Sequence, residues 1–347
     1  MIEENVSLLP YNTFKINVKA RYFVSYNSID ELIEILQSEI CQSRPILQIG
    51  GGSNLLFMNH FEGVILLSKI QFIRNVSDKK VSRSMDENHV WIEVGAGVVW
   101  DDFVKYCVEN EYYGSENLSN IPGQVGASAV QNIGAYGVEA KDIIHEVRCV
   151  NIDTLQVENI PSGDLEFDYR MSRFKKDWKE KYIVTSVVYK LSTQVIYNLS
   201  YNNLQMQVEK NGSITLQNIR NTILQIRGEK LPNHEIIGNA GSFFMNPIVS
   251  QEKYESLVAI YGKVPHYPIS DTKVKVPAAW LIETVGFKGR SMGNAAVHNT
   301  QPLVLVNLGG ASGNEIIQLA KKIQEEISST FGIALQQEVI VVGNNNQ

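Results

Sequence analysis

Two glycine-rich segments carry the residue types that could hold a phosphate-containing ligand. The first follows a short apolar run that indicates a buried strand, and it contains Gly50, Gly51, Gly52, Ser53, Asn54 and Leu55. Consecutive glycines let successive peptide N–H groups point into one concavity, which suits a diphosphate. A tight turn at the end of a strand would explain the same glycines. The third glycine of a Rossmann fingerprint would fall on Leu55 and no Walker A sequence occurs, so neither a Rossmann domain nor an NTPase is indicated.

The second segment combines small residues with two side-chain amides and one tyrosine. Small residues let the backbone approach a ligand, amides can meet a ring edge that donates and accepts, and a tyrosine can pack on a flat ring. The structural alternative is a tightly packed helix start. The residues expected to contact a cofactor are Ile121, Pro122, Gly123, Gly126, Ala127, Ser128, Gln131, Asn132, Gly134, Ala135, Tyr136 and Gly137.

Other motifs that carry chemistry are few. Ser242 lies in Gly241-Ser242-Phe243, which is not the G-x-S-x-G elbow of a hydrolase, so that class is poorly supported. A turn or a helix N-cap would also explain this serine. Cys41, Cys107 and Cys149 are odd in number and widely spaced, and they form no C-x-x-C pair. We therefore predict no metal site and no disulfide framework.

Helical and strand patterns alternate along the chain, which indicates an α+β protein. Possible capping boxes at Ser28–Glu31 and Ser312–Glu315 each precede an apolar helical stripe, and Gly332 is expected to end the second helix. The predicted strands are 45–49, 89–98 and 333–342, with further strands in 143–195. A helix is expected around 100–111. Gly228 and Pro232 interrupt the pattern, so a domain boundary is expected between 220 and 232.

The composition limits the classes of molecule that this protein is expected to bind. The 347 residues carry a formal net charge of −6 and are 44% hydrophobic, which predicts a globular protein that does not bind nucleic acid as its main partner. A local cluster of Arg and Lys could still hold a small anion. The N-terminus resembles no signal peptide, and no apolar run reaches the roughly 18 residues of a membrane span. We therefore expect a cytoplasmic protein without membrane insertion.

Seven motifs, in one order, make the sequence resemble UDP-N-acetylenolpyruvoylglucosamine reductase, the MurB family of peptidoglycan synthesis. Besides the two glycine-rich segments, they are Asn12-Thr13-Phe14, Tyr169-Arg170-x-Ser172-x-Phe174, the stretch 238–244, residues 280–289 with WLIE and GFKG, and Gln337-Glu338-Val339. The segment around Tyr201 is similar to a loop found in the longer of the two family types. The resemblance covers nearly the whole chain.

The resemblance implies the fold and the cofactors. It implies an oxidase-type FAD-binding α+β region in two pieces, with subdomains at 1–70 (joined by a closing strand in 333–347) and 71–225. A C-terminal α+β substrate-binding domain would occupy 230–332. FAD and NADPH would be the cofactors, and the substrate would be a UDP-sugar with an enolpyruvyl ether. We expect a monomer.

The same resemblance implies three catalytic residues. Ser242 corresponds to the proton donor for a carbanion-like or enolate centre, for which a hydroxyl is an adequate acid if it is well placed. Arg170 corresponds to the arginine that meets the substrate carboxylate, which suits the planar fork of a guanidinium. Glu338 corresponds to the catalytic glutamate beside that carboxylate. Taken alone, Arg170 would be read as a surface ion pair and Glu338 as an exposed charge at a strand end.

Further matches imply substrate contacts, and two positions depart from the family. The substrate-binding candidates are Tyr201, Arg227, Lys230, Asn246, Lys275 and Gln301. Met245 stands where a lysine is common, and Ile340 where an arginine is common, so two expected cations are lost near the site.

Two rival functions remain open at this point. One is another FAD-dependent oxidase acting on sugar-type alcohols. Such oxidases often attach the flavin through a histidine, but His60 alone lies near the first segment and no histidine lies between 114 and 142. The other rival is a flavin-binding paralogue without catalytic activity.

Overall fold

The chain divides into two compact units, each assembled from three separate stretches. The computed structural model describes residues 2–77 and 87–343. The first unit is formed by Met1–Val6, Ala20–Gly51 and Glu62–Arg227, and the second by Ser7–Lys19, Gly52–Phe61 and Gly228–Gln347. The second unit therefore contains Asn12-Thr13-Phe14 and the loop after Gly51 together with the C-terminal part of the chain.

Strands occur throughout the described residues. In chain order they are β1 (Glu3–Ser7), β2 (Lys19–Tyr26), β3 (Ile46–Ile49), β4 (Leu55–Phe57), β5 (Phe61–Ser68), β6 (Ile73–Asn75), β7 (His89–Gly95), β8 (Gly134–Ala135), β9 (Val138–Glu139), β10 (Ile144–Asn151), β11 (Val157–Pro161), β12 (Tyr182–Ser192), β13 (Gly238–Ser242), β14 (Ile248–Ser250), β15 (Tyr267–Ser270), β16 (Lys273–Lys275), β17 (Ser291–Met292), β18 (Ala295–Val297), β19 (Val304–Asn307) and β20 (Ile340–Val342). Most are short, as expected for sheets that support loops.

The α-helices of the described residues are α1 (Ile29–Gln37), α2 (Glu39–Gln42), α3 (Trp100–Glu109), α4 (Val125–Gln131), α5 (Leu204–Asn211), α6 (Leu216–Lys230), α7 (Gln251–Tyr261), α8 (Ala278–Thr284) and α9 (Gly313–Phe331). Short 3-10 turns lie at Leu9–Tyr11, Glu116–Leu118, Ala140–Asp142, Ser162–Leu165 and Arg173–Lys175. Mixed helix and strand content fits the predicted α+β class.

The first unit is built on two main sheets. One has the order β1-β2-β5-β3, in which β3 and β5 run parallel, and the other has the order β11-β10-β12-β7-β6. In the second sheet, β12 pairs antiparallel with β7, so that Ser186 lies opposite Gly95 and Ser192 opposite His89. Its core includes the fully buried Trp100, Phe103 and Tyr189, which pack ring against ring. Helices α3 and α4 are therefore fixed against this sheet.

The second unit contains a sheet of order β13-β19-β18-β17, a three-stranded sheet β14-β16-β15 and the parallel pair β20-β4. Its N-terminal stretch is held by side-chain amides. The buried Asn307 amide donates to the Phe14 carbonyl at 2.9 Å, and the Asn12 amide donates to the Leu8 carbonyl at 2.7 Å. Phe14 and Phe243 pack edge to face with ring centroids 6.2 Å apart. The motif Asn12-Thr13-Phe14 is thus part of the scaffold below β13.

Local signals predicted the helix ends well. Ser312 and Glu315 form the reciprocal capping box of α9, and Gly332 ends that helix in the left-handed conformation. The Ser28 hydroxyl likewise accepts from the Glu31 N–H, but the Glu31 carboxylate accepts from the Asn27 N–H at 2.7 Å instead of from Ser28. The first expected box is therefore only half formed.

Two expected strands are shorter than predicted. The strand that begins at His89 ends at Gly95, and the close approach of Gly95 to the Ile70 carbonyl and of Gly97 to the Ser68 carbonyl leaves no space for side chains there. The predicted strand 333–342 is wrong for most of its length, since only Ile340–Val342 forms a ladder. Residues 333–336 alternate between buried and exposed, yet the pairing of this segment is limited to single contacts such as the bridge from Gln337 to Phe244. Alternation here reflects packing of an extended segment.

In the described residues, no helix is both long and apolar enough to cross a membrane.

A glycine on β13 provides a test of the second unit. A Cβ at Gly238 would overlap the Phe14 carbonyl oxygen, whereas nothing lies within 4 Å of a Cβ at Gly228 inside α6. We expect Gly238→Ala to lower the free energy of unfolding by about 1–3 kcal/mol through overpacking. Gly228→Ala should raise it by up to about 1 kcal/mol through helix propensity. Urea unfolding of both variants makes the comparison, and equal effects would contradict the proposed close approach at Gly238.

Candidate active site

The first glycine-rich loop contributes backbone in both units. In the first unit, a Cβ at Gly51 would lie 3.2 Å from the Gly123 Cα, and one at Gly50 would lie 3.4 Å from the Gln124 side chain. The two predicted glycine-rich segments therefore meet backbone to backbone. In the second unit, Gly52 has a φ of +61° and a Cβ there would overlap the Tyr11 carbonyl, so glycine is required. The Gly52 carbonyl accepts from the Thr13 N–H at 3.2 Å.

The second segment is divided between interior and surface. Gly126 packs on Ala96, where a Cβ would approach the Ala96 Cβ to 3.0 Å. The buried Ser128 hydroxyl bonds the Val125 carbonyl and the Tyr189 hydroxyl, each at 2.7 Å. The buried Asn132 amide donates to the Asp168 carbonyl and the Glu139 carboxylate. These three candidates hold the segment in place through contacts inside the protein.

The remaining candidates of this segment are more accessible. Ile121, Gly123, Ala127, Gln131, Gly134, Ala135 and Tyr136 are partly exposed, and Pro122 and Gly137 are exposed. Together with the backbone of Gly50 and Gly51, they are the cofactor-binding candidates of the first unit that a ligand can reach.

Tyr136 joins several substrate candidates in the first unit. Its ring packs edge-on against Tyr201, with centroids 5.9 Å apart. Burial raises the pKa of the Tyr136 hydroxyl, and the hydrogen-bonded Arg227 guanidinium partly offsets that rise. Burial also lowers the pKa of Arg227, with Tyr136 and Asp101 opposing the change and Arg170 adding to it. The structure thus brings Tyr136, Tyr201, Arg227 and Arg170 into one neighbourhood.

Arg170 occupies a strained turn. Asp168 and Met171 exchange two backbone hydrogen bonds of 3.0 Å, and Arg170 between them has a φ of +58°, a conformation that favours glycine. Its guanidinium donates to the Gly134 carbonyl, and Glu139 lies 4.0 Å away. The side chain is only 17% exposed. Arg170 is therefore held in this turn by the surrounding contacts and not by its own backbone preference.

An ion pair that the sequence analysis missed supports Arg227. Arg220, which precedes Arg227 by two turns of α6, makes a two-pronged pair with Asp101 at 2.8 and 2.7 Å. Asp101 also accepts from the Asn120 N–H, and the Asn120 carbonyl accepts from Arg227 at 3.1 Å. The spacing of the two arginines, seven residues on one helix, was the available signal. Nothing local in the sequence identified Asp101 as the partner.

In the second unit, Ser242 and Glu338 are brought to neighbouring backbone positions. Ser242 is the last residue of β13 and lies opposite Val304. The Glu338 N–H donates to the Phe243 carbonyl at 2.8 Å, and the Asn54 amide donates to the Glu338 carbonyl at 3.1 Å. Among residues 2–77 and 87–343, no group bonds the Ser242 hydroxyl. This serine is therefore neither a helix N-cap nor a turn former, and both side chains are half-buried.

The other substrate-binding candidates of the second unit lie on several different elements. The Asn246 amide oxygen accepts from the Ala278 N–H at 2.9 Å at the start of α8, and Lys275 ends β16 beside β14. Gln301 lies in the turn before β19, where its N–H donates to the His298 Nδ1 at 3.3 Å and burial lowers the pKa of that imidazole. Lys230 is exposed at the end of α6. At the two positions that depart from the family, the Met245 N–H donates to the Gln336 carbonyl and the Ile340 N–H donates to the Asn54 carbonyl.

The first unit fits the dinucleotide that the sequence predicts. Its two glycine-rich loops approach at distances that any side chain would fill. Within the described residues, the peptide N–H group of Gly51 has no acceptor. A backbone donor beside small residues suits a phosphate oxygen. These residues can hold FAD.

Comparison with known proteins defines the class. Residues 20–158 match the family described as an FAD-binding domain, and residues 232–342 match the UDP-N-acetylenolpyruvoylglucosamine reductase C-terminal domain. The chain is therefore an FAD-dependent oxidoreductase.

Its relatives define the family. The chain is 46% identical to UDP-N-acetylenolpyruvoylglucosamine reductase of Bacteroides fragilis, over 97% of this chain and 99% of the relative. It is 40% identical to that of Flavobacterium johnsoniae, over 98% and 99%. The chain belongs to the UDP-N-acetylenolpyruvoylglucosamine reductase family, as the resemblance predicted. The crystal structure of the Thermus caldophilus reductase, 22% identical and covering 98% of each chain, has the same fold with a TM-score of 0.67, which confirms the predicted fold class.

The Asp101–Arg220 pair predicts how stability depends on pH. Burial alone would raise the pKa of Asp101, but Arg220, the Asn120 N–H and the charge of Arg227 together lower it below its usual 3.8. A lowered pKa stabilises the folded state above the unfolded pKa, and this stabilisation is lost as the pH falls through the folded value. We expect Asp101→Asn to cost on the order of 3 kcal/mol at pH 7.

The difference between Asp101→Asn and the unchanged protein should shrink below about pH 4. Urea unfolding at pH 7 and at lower pH measures it. Asp177→Asn is the matched control, because Asp177 pairs with Arg173 at the surface. A cost for Asp101→Asn that stays constant with pH would contradict the assignment.

Proposed function

We propose that this protein catalyses the NADPH-dependent reduction of UDP-N-acetyl-3-O-(1-carboxyvinyl)-glucosamine to UDP-N-acetylmuramate in peptidoglycan synthesis. The observation that carries the proposal is the backbone hydrogen bond from the Glu338 N–H to the Phe243 carbonyl, which brings the backbone of Glu338 next to that of Ser242. The unbonded Ser242 hydroxyl next to it has its proton available. Membership of the family over nearly the full length supports the same reaction.

The cofactor would be held mainly by the first unit. Gly50, Gly51, Gly123 and the accessible residues of the second segment would receive it, while Ser128 and Asn132 would support them from inside. When bound, FAD supplies the transfer of a hydride from NADPH to the terminal methylene carbon of the enolpyruvyl ether. The protein must then stabilise charge on the neighbouring carbon and its carboxylate and deliver one proton.

Ser242 would deliver that proton. The carbon beside the carboxylate becomes carbanion-like, which makes it a strong enough base to take a hydroxyl proton. Ser242 lies at a strand end, where the β13–β19 pairing fixes its backbone. The O–H bond breaks as the new C–H bond forms, and water then returns a proton to the serine oxygen.

Arg170 and Glu338 would act on the substrate carboxylate. A guanidinium held by the Gly134 carbonyl would meet charge that develops on the carboxylate with a cation already in position. Glu338, held through its backbone by Phe243 and Asn54, would share a proton with the carboxylate and favour its enolate form.

The remaining substrate candidates would hold the nucleotide and sugar. Arg227, hydrogen-bonded to Tyr136, suits a diphosphate, and Tyr201 suits the face of a uracil ring. Lys230, Asn246, Lys275 and Gln301 would complete binding. We further propose a cytoplasmic monomer with FAD subdomains at 1–70 and 71–225 and a substrate domain at 230–332. Neither the alcohol oxidase nor the paralogue without catalytic activity is favoured.

Anaerobic absorbance spectroscopy tests the reaction. NADPH should bleach the flavin of the purified protein, and the enolpyruvyl UDP-sugar should restore its colour. If the flavin stays bleached after the sugar is added, the proposed function is wrong. If the colour returns rapidly with oxygen alone, an oxidase is indicated instead.

Replacing Ser242 should separate the two half-reactions. We expect Ser242→Ala to leave flavin reduction by NADPH within about twofold and to slow reoxidation by the enolpyruvyl substrate about 10²–10⁴-fold, because only the second step needs the proton. Stopped-flow absorbance measures both rates. Ser291→Ala, at an exposed serine of the same unit, is the control. An equal loss in both half-reactions would remove Ser242 from the proton-donor role.

Replacing Arg170 should act mainly on the same half-reaction. The charge that Arg170 stabilises exists only after hydride transfer, so Arg170→Ala should slow reoxidation about 10²–10³-fold while FAD stays bound. Arg173 lies three residues after Arg170 and pairs with Asp177 at the surface. Arg173→Ala should therefore leave both rates unchanged. Loss of FAD from Arg170→Ala would show instead that this arginine only maintains the Gly134 loop.

A further inference from the structure

Asn117 is a fully buried amide to which the proposed reaction assigns no role. It lies in the 3-10 turn Glu116–Leu118 and is 1% exposed. Its Nδ2 donates to two carbonyls that are far apart in sequence, Tyr136 at 2.8 Å and Asn198 at 2.7 Å. One side chain thus joins the Tyr136 turn to the segment that leads into Tyr201.

Weaker contacts reinforce this junction between the Tyr136 turn and the segment 198–201. The Asn198 amide donates back to the Gly137 carbonyl at 3.3 Å, and a Cβ at Gly137 would lie 3.4 Å from the Tyr201 Cβ. Tyr136 has a φ of +48°, so the turn is not held by backbone preference alone. The edge-on packing of the Tyr136 and Tyr201 rings depends on the relative position of these two segments.

We propose that Asn117 is a positioning residue for substrate affinity, which holds the segment 198–201 against the Tyr136 turn so that Tyr201 is in place before the UDP-sugar binds. The proposal rests on the proposed function. The amide of Asn117 donates to two backbone carbonyls at once, so no exposed side chain is needed to hold either of them. If the junction opens, only a fraction of molecules is competent to bind, and the apparent affinity falls by that fraction.

Asn117→Ala tests this. We expect the KM for the enolpyruvyl UDP-sugar to rise at least about tenfold, as for a competent fraction of about one tenth, while kcat stays within about threefold. Bound FAD per chain should not change. In hydrogen–deuterium exchange of the free protein, peptides covering 197–203 should exchange faster.

Asn218→Ala is the matched control, because the Asn218 amide also donates to two carbonyls, Val208 at 2.9 Å and Ser213 at 2.8 Å, between α5 and α6. It should leave the KM within about twofold. An unchanged KM in Asn117→Ala, or an equal rise in both variants, would overturn the proposal. So would loss of FAD, which would indicate a general structural role.

Two further arms keep the result decisive. If Asn117→Ala does not fold, Asn198→Ala removes the exposed return bond to Gly137 and the bond that the Ser200 hydroxyl donates to the Asn198 amide oxygen, and it should raise the KM about threefold and speed exchange of 197–203. No change in either would refute the junction. If the unaltered protein does not turn over the sugar at all, the proposed function fails. The exchange data then decide by themselves whether Asn117 anchors the segment.

Discussion

A single backbone hydrogen bond, from the Glu338 N–H to the Phe243 carbonyl, fixes the position of Glu338 against the end of β13, and the role proposed for Glu338 depends on it. It ties an extended segment after α9 to the end of β13, almost one hundred residues earlier in the chain. The Asn54 amide donates to the Glu338 carbonyl, which belongs to the next peptide group. Because both peptide groups of Glu338 are held, its side chain can be directed without any regular strand at 333–339. The parallel pairing of β20 with β4 begins only after this point.

In the first unit, a strained backbone turn sets the direction of the Arg170 side chain. Arg170 occupies a left-handed position in a two-residue turn, which costs a non-glycine residue of order 1 kcal/mol or more. The turn is closed by two backbone bonds between Asp168 and Met171, and Asp168 is itself held by the Asn132 amide. The surrounding bonds therefore outweigh the local preference. What this arrangement gains is a guanidinium whose direction is set by the backbone.

Sequence reasoning succeeded where the determining signal is local. The capping box of α9 and its end at Gly332 follow from neighbouring residues. The catalytic and substrate candidates came from resemblance, because no local pattern marks an arginine or serine as functional. The roles of Asn117 and Asp101 were missed for a different reason. Their partners, the carbonyl of Asn198 and the guanidinium of Arg220, lie 81 and 119 residues away, and an amide or carboxylate carries no sign of such a partner.

The scaffold around the candidate site is held largely by neutral amides, and this has an electrostatic consequence. Four of these amides, each of which donates to a backbone carbonyl of a segment distant in sequence, are those of Asn54, Asn117, Asn132 and Asn307. A buried amide is satisfied by hydrogen bonds alone, whereas a buried charge needs a partner charge and a large desolvation cost. Positioning by amides therefore adds no net field that would compete with an anionic ligand. Met245 and Ile340 stand where cations are common in the family, so under the proposed function Arg170 and Arg227 would supply more of the attraction for the carboxylate and the diphosphate.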